Sequence, residues 1–191
     1  MLDPILLQIA KSAIRSRFDN NYVFDKSALL HTYPFLSQKG AAFVTLTSSS
    51  HQLRGCIGSL VAHQSLLEDV IHNAISAAFH DSRFTPLSLQ EFSDITIEVS
   101  VLSTPEILEY QDFDDLCQKI RPSVDGLLLK HGMYQGTFLP QVWEQLPTQK
   151  QFLQHLSIKA GANPTIYNLH PDIYRYGVEA IEANSSAVTA L

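Results

Sequence analysis

Apolar residues recur along this chain with two periods, and the change from one to the other predicts the order of its elements. Ile5, Leu6, Ile9, Ala13 and Ile14 fall on one face of a helix running to about Phe18. Asp3 can accept from its free amides, and Pro4 suits its first turn. Ala41 to Thr47 is an apolar, β-branched run after Gly40, which predicts a buried strand. A turn at Ser48 to Ser50 and a second run from Leu53 to Leu60 complete a hairpin. Ser65 and Glu68 stand at capping-box spacing, Ser65 accepting forward and Glu68 accepting back. The helix they open turns Leu66, Leu67, Val70, Ile71, Ala74, Ile75 and Ala78 inward and ends near Phe79–His80. A loop from His80 to Pro86 follows, with one helical turn in Ser88 to Phe92. Ile95, Ile97, Val99 and Val101 then alternate with Thr96, Glu98 and Ser100, the clearest strand of the chain.

Beyond residue 110 the pattern continues in shorter pieces. Asp112 caps a helix whose Phe113, Leu116, Cys117 and Ile120 face inward, which places Cys117 in a core. Leu127–Leu129 and Thr137–Leu139 flank Gly132 to Gly136 as a second hairpin. Pro140 opens a short helix that Pro147 stops, and Thr148 opens another that Gly161 closes. Tyr174, Tyr176, Val178 and Ala180 alternate in one last strand, and residues 183–191 predict a frayed tail. With no repeat and no linker, interleaved helices and antiparallel strands predict an α+β fold over a doubly wound parallel sheet.

Charge narrows the functional classes. Residues 1–40 carry five Lys/Arg against three Asp/Glu, and residues 41–191 carry eight against sixteen. The most charge-dense stretch, Glu106 to Asp115, is acidic, so general nucleic-acid binding is disfavoured. Two cysteines make no disulfide framework. No run approaches the roughly 20 apolar residues of a membrane span. Asp3, Lys11, Arg15 and Arg17 would spoil a secretory leader. The expectation is a cytoplasmic protein with no membrane association.

Candidate chemistry concentrates in Leu53-Arg54-Gly55-Cys56-Ile57-Gly58. The glycines either let backbone approach a ligand or allow turns that a β-carbon forbids. Cys56, two residues after Arg54, is either a reactive thiol or a small packed side chain. Asp81, Arg83 and Phe84 form a charged aromatic loop. There Arg83 either pairs with Asp81 or binds an anion at a cleft edge. Glu98 lies mid-strand; if its face packs on the Arg54–Gly58 segment it is a buried carboxylate, and Arg54 or Arg83 is its natural partner. His51, His63, His72 and His80 match no metal-ligand spacing, so no metal and no cofactor are expected. His51 or His80 could serve Cys56 as a base, and no signature selects between them.

Taken together, LLQIAKSAI, AAFVTL with LRGCIGSL, LLEDVIHNAISAAFHDSRFTPL, ITIEVSVLSTPEIL, VDGLLLKHG, GTFLPQVWEQLP and the strand at Tyr174 to Glu179 resemble the AMMECR-domain family, whose prokaryotic members are called AmmeMemoRadiSam system protein A. LRGCIG is the most specific of these segments. One departure falls at Arg121 to Gly126, where many relatives have a glycine near Ser123. The resemblance implies one AMMECR-type domain over residues 1–182, made of two unequal, interwoven lobes with a cleft between them. The larger lobe is an antiparallel sheet with flanking helices and holds both termini. The resemblance also implies partnership with Memo-like and radical-SAM proteins, and it implies no reaction.

Three readings follow. In the first, the protein is an enzyme or enzyme subunit of a modification pathway, with Cys56 as its thiol and Glu98 as acid or base. In the second, Arg54, Gly55, Ile57, Gly58, Asp81, Arg83 and Phe84 hold a small anion or another small molecule. In the third, the chain is a non-catalytic scaffold for the other members of the system.

Overall fold

The computed structural model describes all residues from Met1 to Leu191. In chain order its helices and strands are α1 (Ile5–Arg15), α2 (Lys26–Thr32), β1 (Ala41–Thr47), β2 (Leu53–Gly58), α3 (Leu66–Phe79), α4 (Leu89–Phe92), β3 (Thr96–Leu102), β4 (Glu106–Ile107), α5 (Phe113–Lys119), β5 (Gly126–His131), β6 (Tyr134–Phe138), α6 (Gln149–Lys159), β7 (Asp172–Tyr176) and β8 (Val178–Asn184). The fold is α+β, with four-stranded sheets ordered β2-β1-β3-β8 and β4-β7-β5-β6. The chain divides into two units. Residues 1–102 with 179–191 form the larger, which holds both termini, and residues 103–178 form the smaller.

In the larger unit, β1 runs antiparallel to both β2 and β3. Alternation sends Ala42, Val44 and Leu46 of β1 and Ile97 and Val99 of β3 to one face. There they pack with Leu6, Ile9 and Ile14 of α1 and with Val70 and Ala74 of α3. A polar clamp fixes α3 against this face. The buried Asp69 carboxylate accepts from the Ala42 amide at 2.8 Å and from Ser59 Oγ at 2.7 Å, and Asn73 Nδ2 donates to the Ala42 carbonyl at 3.0 Å. Asp69 and Asn73 share the inward side of α3 with its apolar residues, so hydrophobic spacing alone passes over them. Satisfied on all sides, they cost little and set the register of helix on strand.

In the smaller unit, β5 pairs antiparallel with β6 and β7, and β7 with β4. Leu116, Leu127, Leu129, Phe152, Leu156 and Ile173 are its core, with Trp143 stacked on Phe152 at 3.9 Å. The Trp143 indole N–H donates to the Asp125 carbonyl at 2.8 Å, which satisfies its one buried polar atom.

Several expectations change. Helix α1 stops at Arg15, and Phe18 turns back to meet Phe79 edge-on at 5.3 Å. Helix α2 carries no periodic stripe, because only Leu29 of it is buried; its start is the Asp25 cap on the Ser27 and Ala28 amides. Ser65 caps α3 as expected. Glu68, however, does not bond back: its carboxylate pairs with Lys26 Nζ at 2.9 Å, since a strong cation lies within reach. The completed capping box is Ser88 with Glu91 at α4. The single last strand is two, β7 and β8, parted at Gly177 and belonging to different sheets.

Residues 183–191 are docked, not frayed. Lys11 Nζ donates to the Ser185 and Val188 carbonyls at 2.7 and 2.6 Å, the Ser185 amide donates to the Ile95 carbonyl, and the Leu191 amide donates to Ser12 Oγ. Small polar residues stay ordered here because their backbone finds partners. Cys117 is half-buried at the margin of its core, because α5 is short and turns only Leu116 fully inward.

Candidate functional site

Strand β2 lies at the edge of its sheet, and its six residues divide by parity. Gly55 and Ile57 face α3; Arg54, Cys56 and Gly58 face the other way. Neither glycine leaves space for a ligand. A β-carbon on Gly55 would sit 2.1 Å from the Ala77 carbonyl oxygen, and one on Gly58 would sit 2.2 Å from the Phe43 ring. They are contact glycines, one for the helix and one for the aromatic across the strand, and the backbone-approach expectation gives way to packing. Ile57 is partly buried and packs against the core of the larger unit.

Cys56 is clamped through its own peptide. In its pair with Thr45 its amide and carbonyl point to the open edge of the sheet, where a neighbouring strand would otherwise bond. Asp81 and Arg83 fill that place. The Cys56 amide donates to Asp81 Oδ2 at 2.9 Å, and its carbonyl accepts from Arg83 Nη2 at 3.3 Å. The two side chains form a forked pair, Nη2 to Oδ2 at 2.6 Å and Nε to Oδ1 at 2.9 Å. Asp81 is only 6% exposed. The Arg83 hydrogen bonds hold its carboxyl well below the usual carboxylate range, outweighing burial, and the Cys56 amide adds to the effect.

Arg54 takes a different partner. Its Nε donates to Glu91 Oε1 at 2.8 Å, and this bond, with help from the Ser88 amide, brings the Glu91 carboxyl down to about 2. Phe84 lies between the arginines, its ring centroid 5.8 Å from the Arg54 guanidinium carbon and 5.4 Å from that of Arg83. The expected Glu98 partner is therefore corrected: both arginines are matched elsewhere, and Glu98 accepts from Ser100 Oγ at 2.9 Å.

Glu98 nevertheless shares a row with Cys56. Thr45 pairs with Cys56 on one side and with Glu98 on the other, so the three side chains leave the same face of three adjacent strands. Thr45 Oγ1 donates to Cys56 Sγ at 3.3 Å. Strand spacing puts the Cys56 and Glu98 backbones roughly 10 Å apart, with Thr45 between them. Cys56 and Glu98 are both half-buried.

Two participants have faint signals in the sequence. Thr45 is a polar position in an alternating strand, and Glu91 stands at capping-box spacing from Ser88. Their roles toward Cys56 and Arg54 come from tertiary register. His51 sits in the β1–β2 turn at φ 59°, and His80 caps the end of α3. No group of three or more His, Cys, Asp or Glu side chains is arranged to hold a metal ion. Beside Arg54 a pocket of about 200 Å³ opens between the β1–β2 turn and α4, with Cys56 outside its lining.

Fold and site thus define a class: an α+β protein whose edge strand carries a clamped cysteine between two contact glycines. The chain belongs to the AMMECR1 family, whose model matches residues 7–181. It is 35% identical over 170 residues to Protein MJ0810 of Methanocaldococcus jannaschii, an alignment covering 85% of this chain and 83% of that one. It is 41% identical over 165 residues to Protein LS215_2104 of Saccharolobus islandicus, covering 83% and 71%. The crystal structure of uncharacterized protein PH0010 from Pyrococcus horikoshii superposes with a TM-score of 0.75 at 32% identity, covering 94% of this chain and 90% of that one. The activity of the family is not established, and no helix of this chain is long and apolar enough to cross a membrane.

Proposed function

We propose that this protein is an enzyme, or a subunit of one, that offers the Cys56 thiol to a small substrate lying over Thr45 toward Glu98. The observation that supports this reading is the row Cys56–Thr45–Glu98, with the Thr45 hydroxyl donating to the sulfur. That hydrogen bond orients the sulfur along the row, beside the place a substrate would take. The Asp81–Arg83 fork adds rigidity, because it holds both polar atoms of the cysteine's peptide. Glu98, the one carboxylate of the row, carries no ion pair and stands as the acid or base. Simple anion binding is less well supported, since Arg54 and Arg83 each already face a carboxylate. In a modification pathway such an enzyme would act alongside Memo-like and radical-SAM proteins, as the family resemblance implies.

The test is iodoacetamide labelling of the native protein with each cysteine replaced in turn. Cys56 is expected to react in the folded state, and Thr45→Val to slow that reaction several-fold without lowering the melting temperature. Cys117 is expected to react more slowly, because burial pushes its thiol up. A Cys56 that stays unlabelled in native protein even at alkaline pH would overturn the thiol reading.

A further inference from the structure

The pocket beside Arg54 lies outside the Cys56 row, and its lining is unusual for so small a space. Arg54, Glu91, Gln90, Asp94, Ser49 and Ile95 are among the residues that line it. Glu91 is already engaged through both oxygens: Oε1 takes Arg54 Nε, and Oε2 takes Arg54 Nη2 with the Ser88 amide and hydroxyl. Arg54 does have capacity. Its Nε and Nη2 are bonded, whereas Nη1 donates to no protein atom. No buried side-chain nitrogen or oxygen in the protein lacks a partner, so Nη1 belongs to the small exposed part of a side chain that is only 13% exposed. Asp94 is exposed, and its carboxylate pairs with no cation. The lining thus includes an arginine with an unused guanidinium donor and a carboxylate without a paired cation.

This pairing of charges selects among ligands. A simple anion would meet Arg54 but also Asp94 and Glu91. A simple cation would meet Asp94 but also Arg54. A molecule carrying both charges a few bonds apart satisfies both groups at once. A volume of about 200 Å³ is below that of drug-sized sites and takes a molecule of few heavy atoms. We propose that this pocket binds a small zwitterion of the free α-amino-acid class, its carboxylate on Arg54 Nη1 and its ammonium on Asp94. Gln90 and Ser49 are the neutral partners, and Glu91 is the group that holds Arg54 in place. This assignment is independent of the thiol reading, since it needs nothing of Cys56.

Glycine, L-alanine and L-serine serve as probes in thermal-shift titrations and isothermal calorimetry on the full-length chain. N-acetyl-L-alanine keeps only the negative charge, and L-alanine amide keeps only the positive one. The free amino acids are expected to raise the melting temperature saturably, as a ligand specific for the folded state must. Each singly charged analogue should bind at least tenfold more weakly. Asp94→Asn, a surface change that leaves the Arg54–Glu91 pair intact, should abolish the shift by free amino acids, and Arg54→Lys should weaken it. The proposal is overturned if none of the three amino acids binds, if an analogue binds as well as its parent, or if binding survives Asp94→Asn. Labelling of Cys56 is unaffected by any of these outcomes, so the two readings stand or fall separately.

Discussion

Three residues of this chain are explained by the atoms immediately around them. Gly55 is one: the atom that a β-carbon would strike is the backbone oxygen of Ala77, which cannot swing away as a side chain could. Gly55→Ala should therefore cost about 3 kcal/mol, the upper end for overpacking, measured as a loss in urea-unfolding free energy with unchanged slope. Ser123 is the opposite case. It adopts φ 62° in the turn before β5, a left-handed conformation that an L side chain resists. Ser123→Gly is expected to stabilise by about 0.5–1 kcal/mol, the relief of that strain less the extra freedom of glycine in the unfolded chain, read as a higher melting temperature. The third is Cys56, whose surroundings are supplied by β1 and by the loop after α3, not by its own neighbours in sequence.

Among the elements, the C-terminal segment shows how a weak stretch is held. Two carbonyls of the tail converge on Lys11 Nζ from α1, and burial, with Arg15 nearby, pulls that ammonium below its usual range. Lys11→Met keeps the aliphatic stem and removes both bonds. It should cost about 1.5–3 kcal/mol, the range for a hydrogen bond to a charged group, and the tail should become the first site of limited proteolysis. Strand β2 depends likewise on a foreign element: it is an edge whose open position at Cys56 is closed by Asp81 and Arg83 side chains instead of a strand. Removing that fork with Asp81→Ala should speed hydrogen exchange at the Cys56 amide, and an unchanged rate would show that the clamp carries no protection there.

For the molecule as a whole, the carboxylates paired with arginine set the response to acid. Asp81 and Glu91 both ionise below their ordinary values of 3.8 and 4.5, each chiefly through a hydrogen-bonded arginine. The unfolded chain binds protons at these groups before the folded one does. Their stabilisation is therefore complete above that ordinary range and is lost as pH falls toward about 2 for Glu91 and lower for Asp81. Urea midpoints measured across this window should fall steeply for the wild type. A double variant, Asp81→Asn with Glu91→Gln, should show a shallower fall from a lower starting point. An equal slope in both would mean that other carboxylates govern acid unfolding.

What the sequence determined by itself was most of the local structure, helix α2 and the Glu68 half of the α3 capping box excepted. Periodicity marked α1, α3, β3 and both hairpins because one buried face imposes its spacing on the residues that line it. Caps at Asp112 and Thr148 marked helix starts because the groups that bond lie three residues apart. The LRGCIG segment, by resemblance, pointed to the family that the match over residues 7–181 then showed. Tertiary structure alone decided which groups meet. Arg54 lies 37 residues from Glu91, Cys56 lies 25 from Asp81, and the tail lies 174 from Lys11. The split of the last strand into β7 and β8 was equally hidden, because each half keeps a strand's alternation whichever sheet receives it. Spacing records which side of an element is buried, and it carries no information about which distant polar group waits there.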